Sequence, residues 1–150
     1  MRKKISGLIS IDKDFIPALV DDRDELYPNG IFVFNITKMT EHLRKHKDEM
    51  APENIDVKAH RNSFIELTES HIDKTDITVP IILAEIRPGR YNVIDGNHRL
   101  EKAYRMNIDY ITGYKLNPEQ HMPFLTSLRA YHEYVEYWNS KIRQEHYHRG

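Results

Sequence analysis

The sequence contains no cysteine in 150 residues. That removes disulfides, thiolate metal sites and thiol nucleophiles together, and it suits a reducing compartment. Long apolar runs are missing too: no segment approaches the roughly 18 consecutive apolar residues of a membrane-crossing helix. The opening Met1-Arg2-Lys3-Lys4-Ile5-Ser6-Gly7-Leu8-Ile9-Ser10-Ile11 sets basic residues before apolar ones, but Asp12 and Asp14 stop it short of a signal-peptide core. It reads as a first strand, and the protein as cytoplasmic with no membrane partner. An excess of one charge is also absent. With 22 Lys plus Arg against 23 Asp plus Glu, no global field drives the chain onto DNA, RNA or an anionic membrane. Any polyanion site has to be local. No Ser-His-Asp order, Walker-type glycine loop or Gly-x-Gly-x-x-Gly occurs, so hydrolase triads and dinucleotide-binding folds have no support.

What is present fits one globular domain spanning 1–150. Hydrophobic residues make up 39% and charged residues 30%, and nine Tyr, five Phe and one Trp supply an aromatic core. A chain of this length can bury well over half of its unfolded surface without a metal or a disulfide. No internal repeat and no Ser/Gly-rich linker divides it.

Turn-rich residues 21–24 and 27–30 precede a β-prone Ile31-Phe32-Val33-Phe34, which predicts a strand over 31–35. A helix capped by Asn35 or Thr37 should follow, with Met39, Leu43 and Met50 near helical spacing and Lys38, Arg44, Lys45 and Lys47 on its solvated side. Residues 51–62 lack a period and read as a loop, followed by a short helix near Glu69 to Ile72. From Ile77 the pattern sharpens. Val79-Pro80-Ile81-Ile82-Leu83-Ala84-Glu85-Ile86 reads as a strand, Arg87-Pro88-Gly89-Arg90 as a turn and Tyr91-Asn92-Val93-Ile94 as its hairpin partner. A helix over 97–107 and a strand over 108–115 complete a core of 79–115, and a helical tail occupies 117–146. In that tail Leu128, Tyr131, Val135, Trp138 and Ile142 form one apolar stripe, which suits docking on the domain itself over a nucleic-acid platform or a dimer seam. The fold class is α+β: a small mixed sheet with packed helices.

The chemistry concentrates at Ile94-Asp95-Gly96-Asn97-His98-Arg99-Leu100, where a strand ends and a helix begins. The first turn of a helix carries unsatisfied N–H groups at the positive end of its dipole and attracts anions. Gly96 can take a positive φ and lets a ligand approach the backbone, while His98 and Arg99 add one switchable and one permanent donor. Helical spacing turns Leu100, Ala103 and Tyr104 inward and puts His98, Glu101, Lys102 and Arg105 on the other side. The competing reading is an ordinary turn, with Asp95 or Asn97 as the cap and Arg99 paired to a nearby carboxylate.

The run Val79 to Lys115, with its Val-Pro-Ile-Ile strand, Pro-Gly turn and Tyr-Asn-Val-Ile-Asp-Gly-Asn-His-Arg-Leu-Glu-Lys-Ala segment, resembles the ParB/sulfiredoxin-like domain. It covers about a quarter of the chain. In that superfamily a Gly-x-x-Arg or Asp-Gly-x-His-Arg turn at a helix start binds nucleotide phosphates, so the resemblance implies binding roles for Gly96, Asn97, His98 and Arg99. It implies a nucleoside triphosphate or diphosphate as cofactor, with or without magnesium. The departures narrow the function. Sulfiredoxins use a cysteine where Asn97 stands, which excludes their repair chemistry. Partition proteins carry a DNA reader and a dimerisation domain after this one, for which the residues beyond Lys115 are too few, and their Glu-Asn-x-x-Arg signature is missing. Kinases of free serine carry an Asp-Gly-His-His-Arg turn, which is closer. Such an enzyme needs a carboxylate base near the acceptor hydroxyl, and Asp95 and Glu85 are nearest in sequence, with His98 beside them.

The leading expectation is therefore a nucleotide- or phosphate-binding domain, a phosphotransferase or nucleotide hydrolase acting through Asp95 to Arg99. The alternatives are a nucleic-acid-associated ParB-like nuclease or adaptor, and a non-catalytic interaction module. No metal site is expected. His42 and His46 have helical i, i+4 spacing, but Leu43 stands where a zinc protease needs glutamate, and His146 and His148 sit near the chain end.

Overall fold

The computed structural model describes residues 5–149 and shows a single α+β domain. Strands β1 (Leu26–Asn29) and β2 (Phe32–Asn35) form a small antiparallel ribbon. Helix α1 (Ile36–Lys45) follows directly, capped by the Asn35 side chain, which accepts from the Lys38 amide. Strand β3 (Glu53–Asp56), helix α2 (Val57–His60) and helix α3 (Glu69–Lys74) lead to the hairpin of β4 (Ile81–Arg87) and β5 (Arg90–Asp95). Helix α4 (Asn97–Arg105) and strand β6 (Tyr110–Leu116) come next. The chain ends in a short α5 (Pro118–His121), a 3-10 turn (Met122–Phe124) and the long α6 (Leu128–Arg149).

Four strands make the main sheet in the order β3-β6-β4-β5, with β4 and β6 parallel and the outer pairs antiparallel. Side chains alternate across a strand, and here both faces are covered. From β4, Ile81 and Leu83 join Leu100 and Ala103 of α4 on one face. Ile82, Ala84 and Ile86 join Met39 of α1 and Tyr134 of α6 on the other. Double burial is why β4 reads as a continuous apolar run. The last helix docks on its own domain: Tyr131, Val135 and Trp138 are buried, and the Trp138 Nε1 donates to the Gly7 carbonyl at 2.8 Å.

Several sequence expectations need correction. Residues 5–11 form no strand, and Met1 to Lys4 lie outside the described residues. That segment instead turns at Ser6-Gly7 and is fixed to α6, where Asn139 bonds both the amide and the carbonyl of Ile9. The supposed loop 51–62 contains β3 and α2, because a four-residue edge strand and a one-turn helix are too short to show a period. Leu128 is half exposed at the start of α6, whereas Tyr134, outside the expected stripe, is fully buried and donates to the Glu85 carbonyl at 2.6 Å. His121 donates to the same carbonyl through Nε2 at 2.8 Å, and burial pushes its imidazole down to about 4. No described helix is long and apolar enough to cross a membrane.

Candidate functional site

Strand β5 delivers its last residue, Asp95, into a one-residue turn at Gly96, and α4 begins at Asn97. Gly96 has φ +105°, in the region that only glycine enters without strain. A Cβ there would also run into the Ile81 side chain, with Ile81 Cβ only 2.8 Å away. The same Ile81 fills the space beside Gly113, where a Cβ would lie 2.8 Å from its Cγ1. Both glycines let β4 pack closely, so Gly96 has an architectural reason as well as any functional one.

Gly96 is the N-cap of α4, and it offers no side chain to bond the first turn. Neither Asp95 nor Asn97 replaces it. The first intrahelical bond is from the Leu100 amide to the Gly96 carbonyl at 3.0 Å, which leaves the amides of Asn97, His98 and Arg99 ahead of the ladder. These three residues line a cavity of about 460 Å³ together with Asp95, Glu66 and His71. Asn97 also borders a neighbouring cavity of about 290 Å³, whose walls include Tyr27, Asn29, Asn62 and Tyr91.

The expected site residues Asp95, Gly96, Asn97, His98 and Arg99 thus share one cleft. The Arg99 Nη2 donates to Asp95 Oδ2 at 3.0 Å and to the Pro80 carbonyl at 3.3 Å. Its Nε is buried without a hydrogen-bond partner. His98 accepts through Nε2 from the Thr68 amide at 3.3 Å, so its Nδ1 carries the proton in the neutral ring. Its ring meets the edge of His71 with centroids 5.4 Å apart.

Glu85 does not join them. Ile82 stands opposite Asp95 in the hairpin and Glu85 opposite Tyr91. The three intervening steps, at roughly 3.3 Å each, carry Glu85 about 10 Å up the strand. There its carboxylate accepts from the Gly89 amide at 2.9 Å and closes the hairpin turn. A carboxylate near in sequence is carried away because a strand is extended.

A carboxylate that does border the cleft is Glu25. It lines the 460 Å³ cavity and a second one of about 560 Å³, and Asp95 and Arg99 line both as well. The second cavity also carries Thr37, Thr40 and Arg44 of α1 and Lys47 just beyond it. Among the described residues Glu25 has no ion-pair partner. Only folding brings it there: the Ile36 amide bonds the Glu25 carbonyl at 2.8 Å and the Glu25 amide bonds Thr37 Oγ1 at 2.8 Å. Nothing near Glu25 in the sequence signals this.

Helix α4 departs from its expected faces in two places. Glu101 is buried, with Arg61 Nε at 2.8 Å and Arg105 Nε at 3.2 Å. The Arg61 guanidinium holds its carboxyl below the usual range, with Arg105 adding to the effect. Tyr104 is exposed instead of inward, and the Arg61 guanidinium covers its ring at 4.0 Å. No three His, Asp or Glu side chains among the described residues are grouped to hold a metal by themselves. No family model, curated protein or solved structure matches this chain.

Proposed function

We propose that this protein binds a nucleotide through its phosphates at the start of α4, as a nucleotide-dependent phosphotransferase or nucleotide hydrolase. The observation that carries this reading is the uncapped first turn. Three consecutive amides, Asn97 to Arg99, stand at the positive end of a nine-residue helix whose cap has no side chain, beside a cavity large enough for phosphates. The adjoining cavity supports a nucleoside, since Tyr27 and Tyr91 offer aromatic faces and Asn29 and Asn62 offer paired donors and acceptors. Hydroxyl deprotonation needs a carboxylate, and Asp95 and Glu25 border the same cleft. Magnesium on a nucleotide takes one or two protein carboxylates plus phosphate oxygens, which the same pair could supply.

A second reading, a non-catalytic module in which the turn is architecture, draws on Arg99, whose Nη2 is already held by Asp95 and Pro80. Calorimetry with ATP, ADP, CTP and GTP, with and without magnesium, separates the two, and single-stranded DNA titrated in parallel tests a nucleic-acid partner. The proposal expects saturable nucleotide binding that His98→Ala and Arg99→Ala weaken. Silence toward every nucleotide, with Arg99→Ala unfolding the chain, would make the turn architecture. Binding of DNA alone would favour an adaptor or nuclease.

A further inference from the structure

Helix α1 has a second face, and it borders a cavity that the proposed nucleotide site does not use. This cavity, of about 610 Å³, lies between α1, the segment after it, the end of β6 and the α5 region. Its floor is apolar: Met39, Leu43 and Leu116 are buried core residues, and Phe124 is partly buried beside them. Its rim carries His42, His46, Glu49 and Glu119. A concave apolar volume of this size with a few convergent polar groups is what small-molecule sites share.

The charged and ring groups of the rim are acceptors, beside the Gln120 side chain, whose Oε1 is already bonded by the Asn117 amide. His46 donates through Nδ1 to the His42 carbonyl at 2.8 Å, so in the neutral ring Nε2 is left with a lone pair. Glu49 and Glu119 add two carboxylates, and neither has an ion-pair partner among the described residues. No Lys or Arg lines the cavity. The His42 ring stacks on His46 with centroids 4.1 Å apart and tilts against Phe124 at 5.5 Å, which gives one wall a continuous π surface. Negative charge, lone pairs and ring faces all favour a positive donor. An apolar floor beneath them favours a hydrocarbon body.

We propose that this cavity is a ligand site for a small amphipathic cation, an aryl- or alkyl-ammonium whose hydrocarbon part fills the floor and whose ammonium meets Glu49, Glu119 and His46 Nε2. The site is independent of the nucleotide reading, since its residues, Leu43 apart, do not line the cleft at α4.

The test uses three probes of one shape on the intact chain: phenethylammonium, 2-phenylethanol and phenylacetate, each titrated by calorimetry and by NMR. The cation should bind one to one, about tenfold or more tighter than phenylacetate, a difference of about 1.4 kcal/mol. The shifted resonances should be those of His42, His46 and Phe124. Glu119 is exposed, so Glu119→Lys leaves the core intact, and it should erase or invert the preference for the cation. Glu119→Gln should weaken it without inversion. Equal affinity for all three probes, a preference untouched by Glu119→Lys, or shifts confined to the α4 cleft would each overturn the proposal.

Discussion

The two ends of α4 are built on opposite principles. At its C-terminal half every charged side chain is spent on the fold. Glu101 is gripped by Arg61 and Arg105, and Arg105 reaches on to Glu69 with bonds that include one of 2.6 Å. Lys102 donates to the carbonyls of Asp73 and Thr75, which ties α3 alongside. At the N-terminal end the cap has no side chain and three amides precede the hydrogen-bond ladder. One end holds the helix still and the other leaves donors uncommitted. A binding site needs both, because donors position a ligand only when the element that carries them cannot move.

The comparison breaks most violently at Gly96. Gly96→Ala forces a left-handed residue, at about 1–2 kcal/mol, and drives a methyl into Ile81, an overpacking cost of about 1–3 kcal/mol. Denaturant unfolding should show the combined loss. In an Ile81→Ala background the same change should cost less, and that non-additivity measures the clash. If Gly96→Ala were as stable as the wild type, close packing would not be what keeps the cap bare.

Glu101→Gln attacks the other end. It removes the charge that two partly exposed arginines share, and should cost about 1.5–3 kcal/mol. The pH dependence follows from the depressed carboxyl, whose first cause is the Arg61 hydrogen bond. Its stabilisation is complete above the ordinary carboxylate value of about 4.3 and is lost as pH falls through the lower folded value. Wild type should therefore lose stability over that acid window and Glu101→Gln should lose less. Parallel acid profiles for the two proteins would show that the clamp contributes nothing through its charge.

How much of this was legible in the sequence follows the same division. The β4–β5 hairpin, Gly96 and the start of α4 could be read because each depends on residues adjacent in the chain: an apolar run, a Pro-Gly turn, a glycine between strand and helix. The Arg61–Glu101 pair spans 40 residues and Glu25 reaches the cleft through a ribbon that only folding closes. Helical spacing put Glu101 on the solvent side, and a partner brought by α2 buried it. Glu85 lies apart from the turn for the reverse reason, since nearness in sequence along an extended strand is distance in space.

Arg99 stands between the two ends, with one nitrogen bonded to Asp95 and Pro80 and its side chain 15% exposed. Arg99→Ala should cost about 1 kcal/mol of stability, as partly exposed pairs do at the upper end of their range. Nucleotide affinity should fall about ten- to a hundredfold, the weight of one or two charge-assisted bonds. A stability loss several times larger with affinity unchanged would assign Arg99 to the clamped half of the comparison.

His98 gives the smallest effect on folding and the sharpest separation of roles. Among the described residues its ring has one hydrogen bond, the 3.3 Å contact from the exposed Thr68 amide, and it meets His71 at the surface of the cleft. His98→Ala should therefore change unfolding free energy by no more than about 0.5 kcal/mol. A hydrogen bond to charged phosphate carries roughly 1.5–3 kcal/mol, so affinity should drop about ten- to a hundredfold. His98→Gln keeps a donor on a side chain of similar reach and should recover part of the loss. Calorimetry on the three proteins, with thermal unfolding as the control, decides it: full affinity in His98→Ala would remove the imidazole from the anion site and leave the backbone amides of α4 to hold the phosphate with Arg99 alone.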